Sequence, residues 1–78
     1  MTMVSVDKEV IVDLINSKLR LILEDMDSIL HKWNYQTAEK FLEDARTGVI
    51  KNAEDDAVVF RNLLDEHDKL VKLKKSWD

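Results

Sequence analysis

The chain of 78 residues has no cysteine and no proline, and Gly48 is its only glycine. Without cysteine it forms neither a disulfide nor a thiolate metal site. The scarcity of turn residues argues against a sandwich or barrel built from many short strands. No run approaches the roughly 18 apolar residues of a membrane span, and no basic-then-apolar leader opens the chain. We therefore expect a cytoplasmic protein without membrane contact.

What is abundant is typical of long helices, since 45% of the residues are hydrophobic and 36% are charged. The net charge of −4 disfavours nonspecific nucleic-acid binding, which depends on neutralising phosphates. The length allows one small domain, residues 1–78, whose single core is marginal. Oligomerisation is a common remedy at this size.

The first half of the chain predicts one long helix, from residue 8 to residue 33, capped by Asp7 after an extended lead-in at 1–6. Apolar residues recur in this helix at alternating gaps of three and four, which indicates a heptad seam. The seam comprises Val12, Ile15, Leu19, Ile22, Met26, Ile29 and Trp33.

Two further helices are predicted after a break at residues 34–37. Thr37 caps a short helix at 38–47, which Gly48 ends in a left-handed conformation. Asn52 is the expected cap of a helix at 53–75, which is acidic in its first turn and basic in its last turns.

These elements predict an all-α fold, an antiparallel helical hairpin of two long helices with a short connecting helix. The third helix faces the seam of the first with an apolar stripe of its own. This intrachain stripe includes Phe60, Leu64, His67 and Val71. We interpret His67 as a polar residue that fixes the register of the seam, because no second histidine lies within one helical turn.

The first helix has more apolar residues than one partner helix covers. The surplus residues are Ile11, Leu14, Leu21, Leu23 and Leu30, and we predict that they form a partner interface. Contiguous exposed apolar side chains usually mark an interaction site. A second copy, giving a homodimeric four-helix bundle, and a different protein both satisfy this requirement.

An enzyme is not expected, because no phosphate-binding glycine loop, serine nucleophile motif or zinc spacing occurs. We assign no catalytic residue, metal ligand or cofactor. One alternative is a Mg²⁺-dependent nucleotide hydrolase, which needs Glu24, Asp27, Asp65 and Asp68 to converge. Another is a dimeric transcriptional regulator that uses residues 1–6 as a dimer strand.

A further indication comes from three short motifs in residues 29–77: "ILHKWNY", "FLEDARTG" and "AEDDA". They resemble segments of small acidic helical proteins of archaea, some of which look like RelB-type antitoxins. The resemblance rests on Trp33, Tyr35, Phe41, Asp44, Ala45, Gly48, Ala53, Glu54, Asp56 and Ala57. It implies a protein that wraps a basic ribonuclease toxin with its helices, a role that suits an acidic chain.

Overall fold

The computed structural model describes residues 7–77, and these form three α-helices with no strand among them. Helix α1 is Lys8–Trp33, α2 is Ala38–Thr47 and α3 is Glu54–Trp77. The all-α prediction is therefore confirmed. The expected lead-in at residues 1–6 lies outside the described part of the chain.

The ends of α1 and α2 carry the capping residues that the sequence indicates. The Asp7 carboxylate accepts a hydrogen bond of 2.9 Å from a backbone N–H in the first turn of α1. The Thr37 hydroxyl does the same for α2, at 3.3 Å. Asn34 ends α1 and Gly48 ends α2, both in the left-handed region, with φ of 60° and 83°.

Helix α3 differs from the expected 53–75 at both ends. Asn52 has a φ of 66° and is not the cap; Ala53 lies at the cap position, with its side chain fully buried. The Ala53 carbonyl accepts the first helical hydrogen bond, from Ala57 at 2.8 Å. At the other end, nothing in the sequence breaks the helix before Trp77, so it continues two residues further.

Two ion pairs show that α1 and α3 run antiparallel. Lys32 near the end of α1 contacts Asp56 at the start of α3, at 2.8 Å. Lys18, further back along α1, contacts Glu66, further along α3, at 3.4 Å. The molecule measures 57 × 19 × 19 Å, which is about two helix diameters across. No helix within residues 7–77 is long and apolar enough to cross a membrane.

The core is concentrated where α2 crosses the hairpin, which we call the closed end. The fully packed cluster there consists of Phe41, Ala45, Ala53, Ala57 and Phe60. The Phe41 and Phe60 rings lie 5.5 Å apart between centroids. Towards the open end, where α1 begins and α3 finishes, Ile15 and Ile22 are the buried apolar residues of α1. Within residues 7–77, the open end is thus a seam between two helices, with no third helix beside it.

Candidate protein-docking face

The residues of the predicted seam lie between α1 and α3 to different depths. Ile15, Ile22 and Phe60 are buried. The others are partly buried: Val12, Leu19, Met26, Ile29, Trp33, Leu64, His67 and Val71. The His67 side chain is 28% exposed, with Nδ1 3.8 Å from the Asp68 carboxylate.

The predicted partner interface does not form a single stripe. Leu14, Leu21 and Leu23 are 62%, 55% and 50% exposed, but each residue turns an α-helix by about 100°. Leu14 and Leu21 therefore lie on one flank of the seam, together with the partly buried Ile11. Leu23 and Leu30 lie on the opposite flank.

Helix α2 accounts for part of this surplus. Leu30 is partly buried against the core cluster to which α2 contributes Phe41 and Ala45. Leu23 lies two turns before Leu30, towards the open end, and stays exposed. The five residues predicted as one interface are thus divided between two flanks, and α2 covers the closed end of only one flank.

The flank away from α2 has no covering element within residues 7–77. Helix α3 adds an apolar stripe to it, on the same side as Leu14 and Leu21, because the Lys18–Glu66 ion pair joins these two flanks. We call the combined surface the uncovered face. It consists of Val10, Leu14 and Leu21 from α1 with Val59, Leu63, Leu70, Leu73 and Trp77 from α3.

The α3 half of this face was missed in the sequence analysis, although a signal for it exists. Val59, Leu63, Leu70 and Trp77 follow heptad spacing, and Glu66 occupies the interrupted position. A search for one seam per helix assigns such residues to the intrachain contact. In the structure Val59, Leu73 and Trp77 are exposed instead.

Charged groups divide the uncovered face and close one end of it. Lys18 and Glu66 form their pair near its middle, with side chains about half exposed, and the exposed Asp25 lies one turn beyond Leu21. At the closed end, Asp56 Oδ2 accepts hydrogen bonds from Lys32 Nζ and from Trp33 Nε1, both at 2.8 Å. The hydrogen bond from Lys32, followed by that from Trp33, lowers the pKa of Asp56 against the opposing effect of desolvation.

A second polar contact joins the loop after α1 to α2. The Tyr35 hydroxyl donates to Asp44 Oδ2 at 2.6 Å, and Lys40 Nζ lies 3.3 Å from Asp44 Oδ1. Asp44 is the buried charged residue of the described chain, 7% exposed. The Tyr35 hydrogen bond is the main cause that lowers the pKa of Asp44, with Lys40 adding to it, while desolvation acts the other way.

Most of the residues behind the antitoxin resemblance build this closed end. Trp33 and Asp56 are hydrogen-bonded to each other, as are Tyr35 and Asp44. Phe41 and four small or turn-forming residues complete the set: Ala45, Gly48, Ala53 and Ala57. These residues fix how the three helices meet, and Asp56 is the member of the set that also borders the uncovered face.

The four carboxylates of the hydrolase alternative are not brought together. Glu24 and Asp27 are exposed on the side of α1 that points away from α3. Asp65 and Asp68 are exposed on α3. Within residues 7–77, no group of three or more histidine or acidic side chains is arranged to hold a metal ion.

Comparison with known proteins adds no assignment, because no protein-family model, curated protein or solved structure matches this chain. The functional argument therefore depends on the chain's own surface.

Proposed function

We propose that this protein is a non-enzymatic helical binding module that docks through its uncovered face onto another protein surface. The supporting observation is the concentration of exposed apolar side chains there. Residues 7–77 expose nine large apolar side chains, and six of them share this face: Val10, Leu14, Leu21, Val59, Leu73 and Trp77. Leu23, Val49 and Val58, the other three, are scattered.

The free energy available from this face is large for so small a chain. Removing the exposed half of an apolar side chain from water contributes about 1 kcal/mol, so six contribute about 6 kcal/mol. Association costs about 4–15 kcal/mol in lost freedom of motion. When both surfaces contribute comparably, the total of about 12 kcal/mol exceeds this cost over most of its range. Left in water, the same stripe gives the chain no such stabilisation.

A basic partner protein is a specific form of this proposal. The chain carries a net charge of −4, which favours encounter with a positively charged surface. Neutralisation of such a partner is the antitoxin-like role that the resemblance implies. In this role the net negative charge supplies the attraction to the partner.

The test introduces a photo-crosslinking residue at position 14 and compares it with the same residue at position 23, in living cells. Both positions are exposed on α1, but only Leu14 belongs to the uncovered face. We expect discrete crosslinked products from position 14, and we expect Leu21→Glu, but not Leu23→Glu, to abolish them. Equal crosslinking from both positions, or crosslinks that survive Leu21→Glu, contradict the proposal.

A further inference from the structure

We infer that the uncovered face binds a second copy of this chain, with α1 of each protomer packed on α3 of the other and both closed ends at the same end of a four-helix bundle. This inference deepens the proposed function and rests on it. The area of the face, its layering and its charges support it.

The exposed apolar area matches what a dimer of ordinary size requires. Val10, Leu14, Leu21, Val59, Leu73 and Trp77 together expose the equivalent of about three whole residues, or roughly 500 Å². A standard interface buries about 800 Å² per partner, of which about 60% is apolar. One face of this kind on each protomer therefore suffices.

The face is organised in layers along the hairpin. Lys18 lies level with Glu66, and counting along the antiparallel helices places Leu14 level with Leu70 and Leu21 level with Leu63. Val10 lies level with the last turn of α3. A twofold axis parallel to the hairpin keeps every layer at its own level. The Leu14–Leu70 and Leu21–Leu63 layers then meet their own copies, as does the Lys18–Glu66 layer, whereas the exposed Asp25 comes level with Val59.

The charges decide between this arrangement and its reverse. With the axis parallel to the hairpin, Lys18 faces the partner's Glu66 and Glu66 faces the partner's Lys18. Four charges then alternate in sign around one layer. When one protomer is turned end over end, α1 packs on α1, and Lys18 approaches the partner's Lys18. Like charges in direct opposition are destabilising, so the parallel axis is favoured.

Helix α2 leaves this arrangement free of obstruction. It covers the other flank of α1, where Leu30 packs against the core, so it lies on the outside of the bundle. The closed ends also match, because Lys32 and Asp56 lie level with their own copies and again alternate in sign. Both halves of the face therefore favour the same pairing.

The first measurement is the native mass of the purified chain by light scattering, over a wide range of concentration. We expect the chain to be a dimer. We expect Leu21→Glu to raise the dimer dissociation constant at least 100-fold, and the matched variant Leu23→Glu to change it little. A chain that stays monomeric at every concentration overturns the second-copy inference. Crosslinks from position 14 to a different protein then leave the proposed function standing, whereas no crosslinks from that position remove both.

The orientation is tested with a single spin label at position 49. The chain has no natural cysteine, and Val49 is exposed beyond α2, outside the uncovered face. In the inferred dimer both labels lie at the same end, within about 40 Å, because the bundle is only a few helices of roughly 10 Å across. A distance near or above the 57 Å length of the molecule means the reversed arrangement and overturns the inference.

Charge reversal tests the central layer. We expect Lys18→Glu and Glu66→Lys each to weaken self-association at least 10-fold, because each variant places four like charges in one layer. Mixing the two variant chains restores complementary contacts, so the mixture associates more tightly than either variant alone. A mixture no tighter than its components shows that Lys18 and Glu66 do not meet across the interface, and overturns the inferred register.

Discussion

Replacing Phe60 by leucine tests whether the closed end holds the fold together. Phe60 is fully buried, and its ring lies 5.5 Å from that of Phe41. The smaller side chain loses about 1 kcal/mol of transfer free energy and leaves a cavity that costs about 0.5 kcal/mol, and the lost aromatic pair adds about 0.5–1.5 kcal/mol. We therefore expect Phe60→Leu to lower the free energy of unfolding by about 2–3 kcal/mol. This is a large part of the roughly 5–15 kcal/mol typical of a domain.

Thermal and urea unfolding, followed by circular dichroism at one fixed protein concentration, measure the effect. For a domain of this size the expected loss lowers Tm by about 10–20 °C. The matched control is Val58→Ala, two positions away but exposed on the outer side of α3. It should change stability by no more than about 0.5 kcal/mol. Equal effects of the two substitutions would mean that the core does not lie between Phe41 and Phe60.

Three other substitutions probe the closed end. Tyr35→Phe removes the donor that lowers the pKa of Asp44. The contact contributes its full stability above the unfolded-state carboxyl pKa of about 4, and that stability is lost as pH falls through the lower pKa of the folded state. The urea midpoint of the variant should therefore lie well below that of the natural chain at pH 7 and approach it near pH 2. Gly48→Ala should lower the free energy of urea unfolding by about 1–2 kcal/mol, because φ at this position is 83°, which strains any side chain. The added Cβ would have no atom within 4 Å, so no new contact offsets that strain. Asp56→Ala should lower Tm more than Lys32→Ala, because the carboxylate also accepts the Trp33 hydrogen bond whereas the lysine is largely exposed.

Local signals were sufficient to predict the helices. Alternating gaps of three and four identify the seam of α1, and Asp7, Thr37 and Gly48 mark helix ends by side-chain or backbone chemistry that acts within a few residues. The start of α3 is where this reasoning failed. Asn52 has the chemistry of a cap, but Ala53 is drawn into the core beside Phe60, and that tertiary contact shifts the helix start by one residue.

The candidate site was only partly predictable. The surplus of apolar residues on α1 is visible in the sequence, and the 100° turn per residue is enough to separate Leu14 and Leu21 from Leu23 and Leu30. Which flank α2 covers is not visible there, because that depends on how α2 leaves the loop. The Tyr35–Asp44 hydrogen bond across that loop has no periodic signal either.

The residues behind the antitoxin resemblance lie at the closed end, whereas the proposed docking residues lie on the uncovered face. The residues of the resemblance form the hydrogen bonds and the small-residue contacts of the closed end. Any chain that joins three helices in this way requires similar residues at these positions. Motifs of this kind indicate a similar junction of helices at the closed end, and they do not indicate a shared binding partner. The residues that would choose a partner lie elsewhere, in the α1 and α3 stripes on either side of the Lys18–Glu66 pair. Substitutions in the closed end should therefore change stability and association together, whereas Leu21→Glu should weaken association while the hairpin remains folded.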